Sequence, residues 1–324
     1  MRTSTLLIHD PPGTHGILMA DPRPKGCLIC LAPKCRRDDM DTGTYTGFDV
    51  SVEKPGIAWI EFNEPERLNG MNSGKKRDLI EILTQAQMDN AVRVVVFIGT
   101  GRGFCAGDDL KAYSTRERDE QALMPPISPG HDTPIGTYDG LRQISQALNV
   151  AIRNLDKLSI AAINGYAIQT GLSLALSCDF KIAASSAQLG SATLRFGLLP
   201  DEGGQYLLVE HMGVARTMDF VMRKRIVSAD EALALGLVNE VVEGDELREH
   251  ARNLALELAS GPQVSQRLLK RSVYLAAELS WSQALDEIAS KTAISDHHPD
   301  SREGVAAFRE RREAHFNEWL RAYE

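Results

Sequence analysis

Apolar and polar positions along this chain change period several times, and each change marks an element. Val50-Ser51-Val52 and Ile57-Ala58-Trp59-Ile60-Glu61-Phe62 alternate as a hairpin turning at Lys54-Pro55-Gly56. Leu79, Ile82, Leu83 and Ala86 recur at helical spacing, which predicts a helix over Lys75 to Met88. Val92 to Ile98 is β-branched and apolar enough to be a buried strand. Ile160 to Ile163 is a second strand-like run, followed by an apolar helix at Leu172 to Leu176. Strands alternating with helices predict an α/β core. From about Glu246 the pattern is wholly helical: Leu247, Ala251, Leu254, Ala255 and Leu258 form one stripe, and Leu268 to Ala277 another.

Two stretches break the periodicity. Residues 1–39 hold five of the 14 prolines and three of the five cysteines. They read as a disordered extension or an over-called start, with Met40 just before the patterned region. Cys27, Cys30 and Cys35, with His9 and His15 upstream, lack a fourth ligand at consistent spacing, so no metal site is expected. Ala112 to Gly140 is polar and contains Pro125, Pro126, Pro129 and Pro134, which predicts a long functional or disordered loop. His131 and Asp132 lie in it as exposed loop residues that could reach a ligand. The expected organisation is an extension over 1–39, a core over 40–245 and a helical region over 246–324.

Composition narrows the class. At 324 residues the chain can bury a large core, and 43% hydrophobic with 25% charged residues is ordinary for a globular protein. A net charge of −8 argues against a nucleic-acid surface. No run approaches the roughly 20 apolar residues that span a bilayer. Five cysteines do not read as a secreted disulfide framework, so the expectation is a cytoplasmic protein with no membrane partner.

Candidate chemistry lies where strands empty into small residues. Val92 to Ile98 leads into Gly101-Arg102-Gly103-Phe104-Cys105-Ala106-Gly107-Asp108-Asp109-Leu110. Ile160 to Ile163 leads through Asn164-Gly165-Tyr166-Ala167-Ile168-Gln169-Thr170-Gly171 into the apolar helix. Glycine lets backbone amides approach a ligand closely, and two amides facing one point make an oxyanion hole suited to an enolate. Asp108 and Asp109 invite a metal reading, but adjacent acids on a loop more often cap the next helix.

These segments resemble the crotonase (enoyl-CoA hydratase/isomerase) superfamily. Arg67-Leu68-Asn69-Gly70-Met71-Asn72 is similar to its opening motif, Gly101 to Leu110 to the first oxyanion segment, and Ile163 to Asp179 to the second. Gly197-Leu198-Leu199-Pro200-Asp201-Glu202-Gly203-Gly204 resembles the loop before the next helix, and Arg302 to Phe308 the C-terminal signature. The resemblance covers roughly residues 46 to 316. It implies an α/β spiral of ββα units with a C-terminal helical region that assembles a homotrimer or a dimer of trimers. It also implies an acyl-CoA substrate, coenzyme A entering as part of it, and no separate cofactor or metal.

Carried over residue by residue, the oxyanion hole maps to the amides of Ala106 and Thr170, with Gly171 supplying the tight turn. Thr170 stands where relatives usually have glycine. The two hydratase glutamates map to Ser173 and Thr193, neither of which can activate water as a carboxylate pair does. Asp201 occupies the position of a catalytic aspartate in isomerase branches; the match is strongest with the epoxyphenylacetyl-CoA isomerase branch, which also lacks both glutamates. Glu202 is the competing acid, and Asp201 could instead cap the following helix. Cys105, Asp109, Arg67, Phe308 and Arg311 are the remaining substrate-binding candidates; Arg67 and Arg311 suit CoA phosphates, although solvated arginines are equally ordinary. The expected activity is isomerisation of an unsaturated acyl-CoA through a stabilised enolate. A hydratase or hydrolase using Asp201 or Glu202, and a catalytically silent acyl-CoA-binding scaffold, are the alternatives.

Overall fold

A computed structural model describes residues 39–109 and 133–323. The cysteines at 27, 30 and 35, the histidines at 9 and 15, and His131 and Asp132 lie outside these residues.

The strands form two sheets. The larger has seven strands: β1 (Gly43–Tyr45), β2 (Phe48–Glu53), β3 (Ile57–Phe62), β4 (Val94–Gly99), β6 (Leu158–Ile163), β8 (Phe180–Ala184) and β11 (Glu240–Val242), hydrogen-bonded in that order. The smaller has the order β10-β9-β7-β5, with β5 at Gly103–Cys105, β7 at Tyr166–Ile168, β9 at Gln188–Gly190 and β10 at Ile226–Ser228. The predicted hairpin is β2–β3, antiparallel with Glu53 opposite Ile57. From β3 to β11 the larger sheet is parallel. A central parallel strand is covered on both faces, so β4 is buried at every position and reads as an unbroken apolar run rather than an alternation.

The helices at Ser73–Met88 and Leu247–Ser260 follow their predicted stripes, but the stripe expected over Leu268 to Ala277 is not a buried face: Leu269, Val273 and Leu275 are exposed, and Lys270 and Ser272 are buried there. The first, α1 (Ser73–Met88), is capped by Asn72, whose side chain accepts from the Lys75 N–H at 2.8 Å, and it buries Leu79, Ile82, Leu83 and Ala86. After residue 132 come α2 (Pro134–Gly140), a π turn at Leu141–Ser145, and α3 (Gln146–Arg153). The expected long loop therefore ends earlier than Gly140. Thr133 caps the Gly136 N–H at 3.0 Å, and Pro134 sits in the first turn, where its missing N–H costs nothing.

Three more helices, α4 (Thr170–Ser177), α5 (Gly204–Met222, broken at Gly213) and α6 (Ala229–Leu235), complete the core. The C-terminal region is α7 (Leu247–Ser260), α8 (Gln263–Ala276), α9 (Trp281–Asp296) and α10 (Pro299–Glu310). In α7, Leu247, Ala251 and Ala255 are buried where the helix covers β3, β4, β6 and β8.

The sheets join through aromatic packing: Phe62 of β3 meets Phe104 of β5 edge-on, with ring centres 5.6 Å apart. Their junction places both glycine-rich segments together. Since β5 and β7 run parallel with Cys105 opposite Ala167, the chain leaves both strands at the same end. A Cβ on Gly171 would lie 2.0 Å from the Cys105 carbonyl oxygen, so only glycine permits this approach.

Candidate active site

Where β7 ends, Gln169 adopts φ 49° and ψ −106°, and Thr170 begins α4. The first N–H groups of a helix have no acceptor within it, so Thr170 and its neighbours present amides and the positive end of the helix dipole at this point. Thr170, Gly171 and Ser173 are all buried. The opposing segment differs from the sequence expectation. The Ala106 N–H donates to the Leu68 carbonyl at 3.0 Å, and the Asp109 N–H to the Met71 carbonyl at 2.7 Å. The amide of Ala106 is thus committed to holding this turn against the Arg67–Asn72 motif, which corrects its assignment to the oxyanion hole.

Around Thr170 a chain of polar side chains is buried. Thr170 Oγ1 lies 2.7 Å from Asp108 Oδ1 and 2.5 Å from Glu202 Oε1. Gln169 Nε2 donates to Glu202 Oε2 at 3.0 Å, while Ser191 Oγ and Thr193 Oγ1 donate to Gln169 Oε1 at 3.0 and 3.3 Å. At the other end Lys76 Nζ, from the first turn of α1, pairs with Asp108 at 2.8 Å and donates to Ser145 Oγ at 2.9 Å. Lys76 is fully buried, and the neighbouring Lys75 is buried against Glu64 and the Gly70 carbonyl.

The segment carrying the two acids is held by α3: Gln146 Nε2 donates to the Asp201 carbonyl and Asn149 Nδ2 to the Glu202 carbonyl, each at 2.9 Å. Asp201 is half-buried and Glu202 buried. Burial raises both carboxyls above their ordinary range; Asp108 raises each further and Lys76 opposes it. Asp201 does not cap a helix. Gly203, at φ 98°, precedes the first residue of α5, leaving Asp201 two positions outside the cap.

The remaining sequence candidates separate into three groups. Ser173 packs within α4 close to Gly204, where a Cβ would come 2.8 Å from its hydroxyl, and Thr193 joins the network through Gln169. Cys105 is buried and its thiol is pushed up to about 11 by desolvation, so it acts as a small core residue. Arg67 and Asp109 form an ion pair at 2.9 Å beside the turn, while Phe308 and Arg311 stand exposed on α10 and at its C-cap. Sequence reasoning missed Lys76, Gln169 and Ser145. A lysine in a charged run ordinarily signals a solvated face, and only the glutamine in an otherwise small-residue turn offered a signal.

A sequence profile of the enoyl-CoA hydratase/isomerase family matches residues 52–319. The chain is 34% identical over 272 residues to the 1,2-epoxyphenylacetyl-CoA isomerase of Escherichia coli, covering 83% of this chain and 98% of that protein. It is also 34% identical over 310 residues to the human protein named enoyl-CoA hydratase domain-containing protein 2, mitochondrial, covering 89% and 98%. Among solved structures, the enoyl-CoA hydratase from Bacillus anthracis superposes with a TM-score of 0.74 at 30% identity, over 83% of this chain and 98% of that one.

Proposed function

Because the chain belongs to the enoyl-CoA hydratase/isomerase family, and so is an acyl-CoA enzyme, we propose that its reaction is a double-bond isomerisation with Asp201 as the proton carrier. The observation that carries this reading is the pattern of acids. By the resemblance, Ser173 and Thr193 stand at the hydratase glutamate positions, while Asp201 is half-buried with its carboxyl raised by desolvation. A carboxyl so placed is a better base near neutral pH than an exposed aspartate.

In this reading the thioester oxygen is held by the Thr170 amide and one donor from the turn after Ala106. Asp201 removes a proton from one carbon of the acyl chain, the dienolate charge rests on the oxyanion hole and the start of α4, and Asp201 returns the proton to another carbon. Coenzyme A is part of the substrate, and the cycle draws on no cofactor. Glu202 is engaged at both carboxyl oxygens, which suits it to positioning rather than to proton transfer.

Asp201→Asn keeps the side-chain size and removes the base. It should lower turnover on an unsaturated acyl-CoA by about 10²-fold or more, with thioester affinity and folding nearly unchanged. Full activity in this variant would overturn the reading. Hydration is the second reading, because relatives of the family are named as hydratases; release of a hydroxyacyl-CoA from a 2-enoyl-CoA by the wild type would favour it.

A further inference from the structure

Thr170 has one hydroxyl hydrogen and two carboxyl groups against it. Asp108 Oδ1 and Glu202 Oε1 lie 2.7 and 2.5 Å from the same Oγ1, and a hydroxyl can donate to only one of them. If both acids were ionised, one contact would set oxygen lone pairs against each other in a buried site. One acid must therefore donate, and the surroundings say which. Asp108 accepts from the Lys76 ammonium at both carboxyl oxygens, at 2.8 and 2.9 Å, so its oxygens serve as acceptors and it is not the donor. Glu202 is buried and receives one neutral amide donor, from Gln169, on its other oxygen.

We infer that Glu202 is a neutral carboxylic acid that donates to Thr170 Oγ1, that Thr170 donates in turn to Asp108, and that Asp108 is closed off by Lys76. This proton-ordered clamp fixes the residue whose amide faces the thioester. Every donor and acceptor then matches: Glu202 Oε1 donates, Glu202 Oε2 accepts from Gln169, and Gln169 Oε1 accepts from Ser191 and Thr193.

The clamp has an electrostatic consequence, which rests on the enolate reading proposed above. Among the described residues the charged groups acting on Glu202 are Lys76, Asp108 and Asp201. With Glu202 neutral, Lys76 and Asp108 offset each other, Asp201 is neutralised by the proton it removes, and the developing oxyanion meets no added negative charge. Ionising Glu202 would place a like charge beside it and leave two acceptors competing for one hydrogen. Glu202 and Thr170 are thus positioning residues, acting through the Thr170 amide.

Infrared spectroscopy of the full chain carrying carbon-13-labelled glutamate tests this directly. The wild type should show a protonated carboxylic-acid C=O band at neutral pH that shifts with the glutamate label. Glu202→Gln should abolish the band and Asp201→Asn should keep it. Thr170→Val removes the hydroxyl at nearly constant volume, so the band should ionise about one pH unit lower, the equivalent of one hydrogen bond. Absence of the band at neutral pH, its survival in Glu202→Gln, or an unchanged midpoint in Thr170→Val would overturn the clamp. Should Glu202→Gln fail to fold, the isotope shift and the Thr170→Val midpoint decide alone. A band that behaves as described while Asp201→Asn remains fully active would sink the isomerase reading and leave the clamp standing.

Discussion

Gly171 and Asp201 show how single positions set this site. A methyl group at 171 would meet the Cys105 carbonyl at 2.0 Å, and that carbonyl belongs to β5, whose pairing with β7 cannot yield without opening the smaller sheet. Gly171→Ala should therefore destabilise the fold by about 3 kcal/mol or more, read as a large drop in the thermal midpoint or loss of soluble protein. Gly197 sits at φ 70° with nothing within 4 Å of its added Cβ, so Gly197→Ala should cost only about 1 kcal/mol. The Asp201 carboxyl is raised, and a base works only when ionised. Activity should then fall as pH drops through a value above the ordinary 3.8, and kcat/KM measured across the acid limb checks this. An acid limb at or below 3.8 would place the working carboxyl elsewhere. Thr170 was legible in the sequence as a departure from glycine. Its hydroxyl's role was not, because Glu202 lies 32 residues further along the chain.

At the scale of elements, the sequence disclosed what is periodic and hid what depends on partners. The buried β4 and helices α1 and α7 follow their apolar spacing, and the hairpin β2–β3 stands where predicted, although β3 is buried at five of its six positions rather than at alternate ones and Val52 is exposed. The π turn and α2 did not announce themselves, since a proline-rich polar stretch reads as loop until the Thr133 cap is seen. Ala106 looked available because nothing local marks its bond to Leu68, which reaches across to another element.

Burial also changes the chemistry of connecting positions. Lys157 opens the approach to β6 with its ammonium donating to the Asp89 carbonyl at the end of α1, at 3.0 Å. Desolvation and, second to it, Arg267 lower its pKa to about 7 against the opposing pull of Asp89 and Asp156. Between about pH 7 and the ordinary 10.5, the unfolded chain holds a proton that the folded one has released. Stability contributed at this site should accordingly rise with pH across that window. Denaturant unfolding at several pH values should show a positive slope that Lys157→Met removes. Equal slopes in the two proteins would refute this assignment.

At the scale of the molecule, the described residues leave large apolar side chains exposed. Val214, Met218 and Met222 recur every four residues along the second part of α5, each more than half exposed, and Trp281 and Phe308 are 79% and 85% exposed. Phe316 packs against Gly304, and Trp319 meets His298 edge-on at 6.0 Å. A row of large apolar side chains at helical spacing on an exposed face marks a surface suited to a partner. We propose that it is covered by further copies of the chain, as a trimer or a dimer of trimers. Sedimentation should show one of these states, and Val214→Asp combined with Phe308→Asp should shift it toward smaller species; a monodisperse full-length monomer would contradict the proposal.

Proton transfer within the acyl chain by Asp201, over an oxyanion hole at Thr170, can be followed by hydrogen exchange. Wild-type protein is incubated with an unsaturated acyl-CoA in deuterated water, and deuterium in the recovered thioester is located by mass spectrometry and NMR. Deuterium should appear at the carbons flanking the double bond with the wild type, and none above background with Asp201→Asn, if Asp201 carries the proton. Equal incorporation by Asp201→Asn would contradict it.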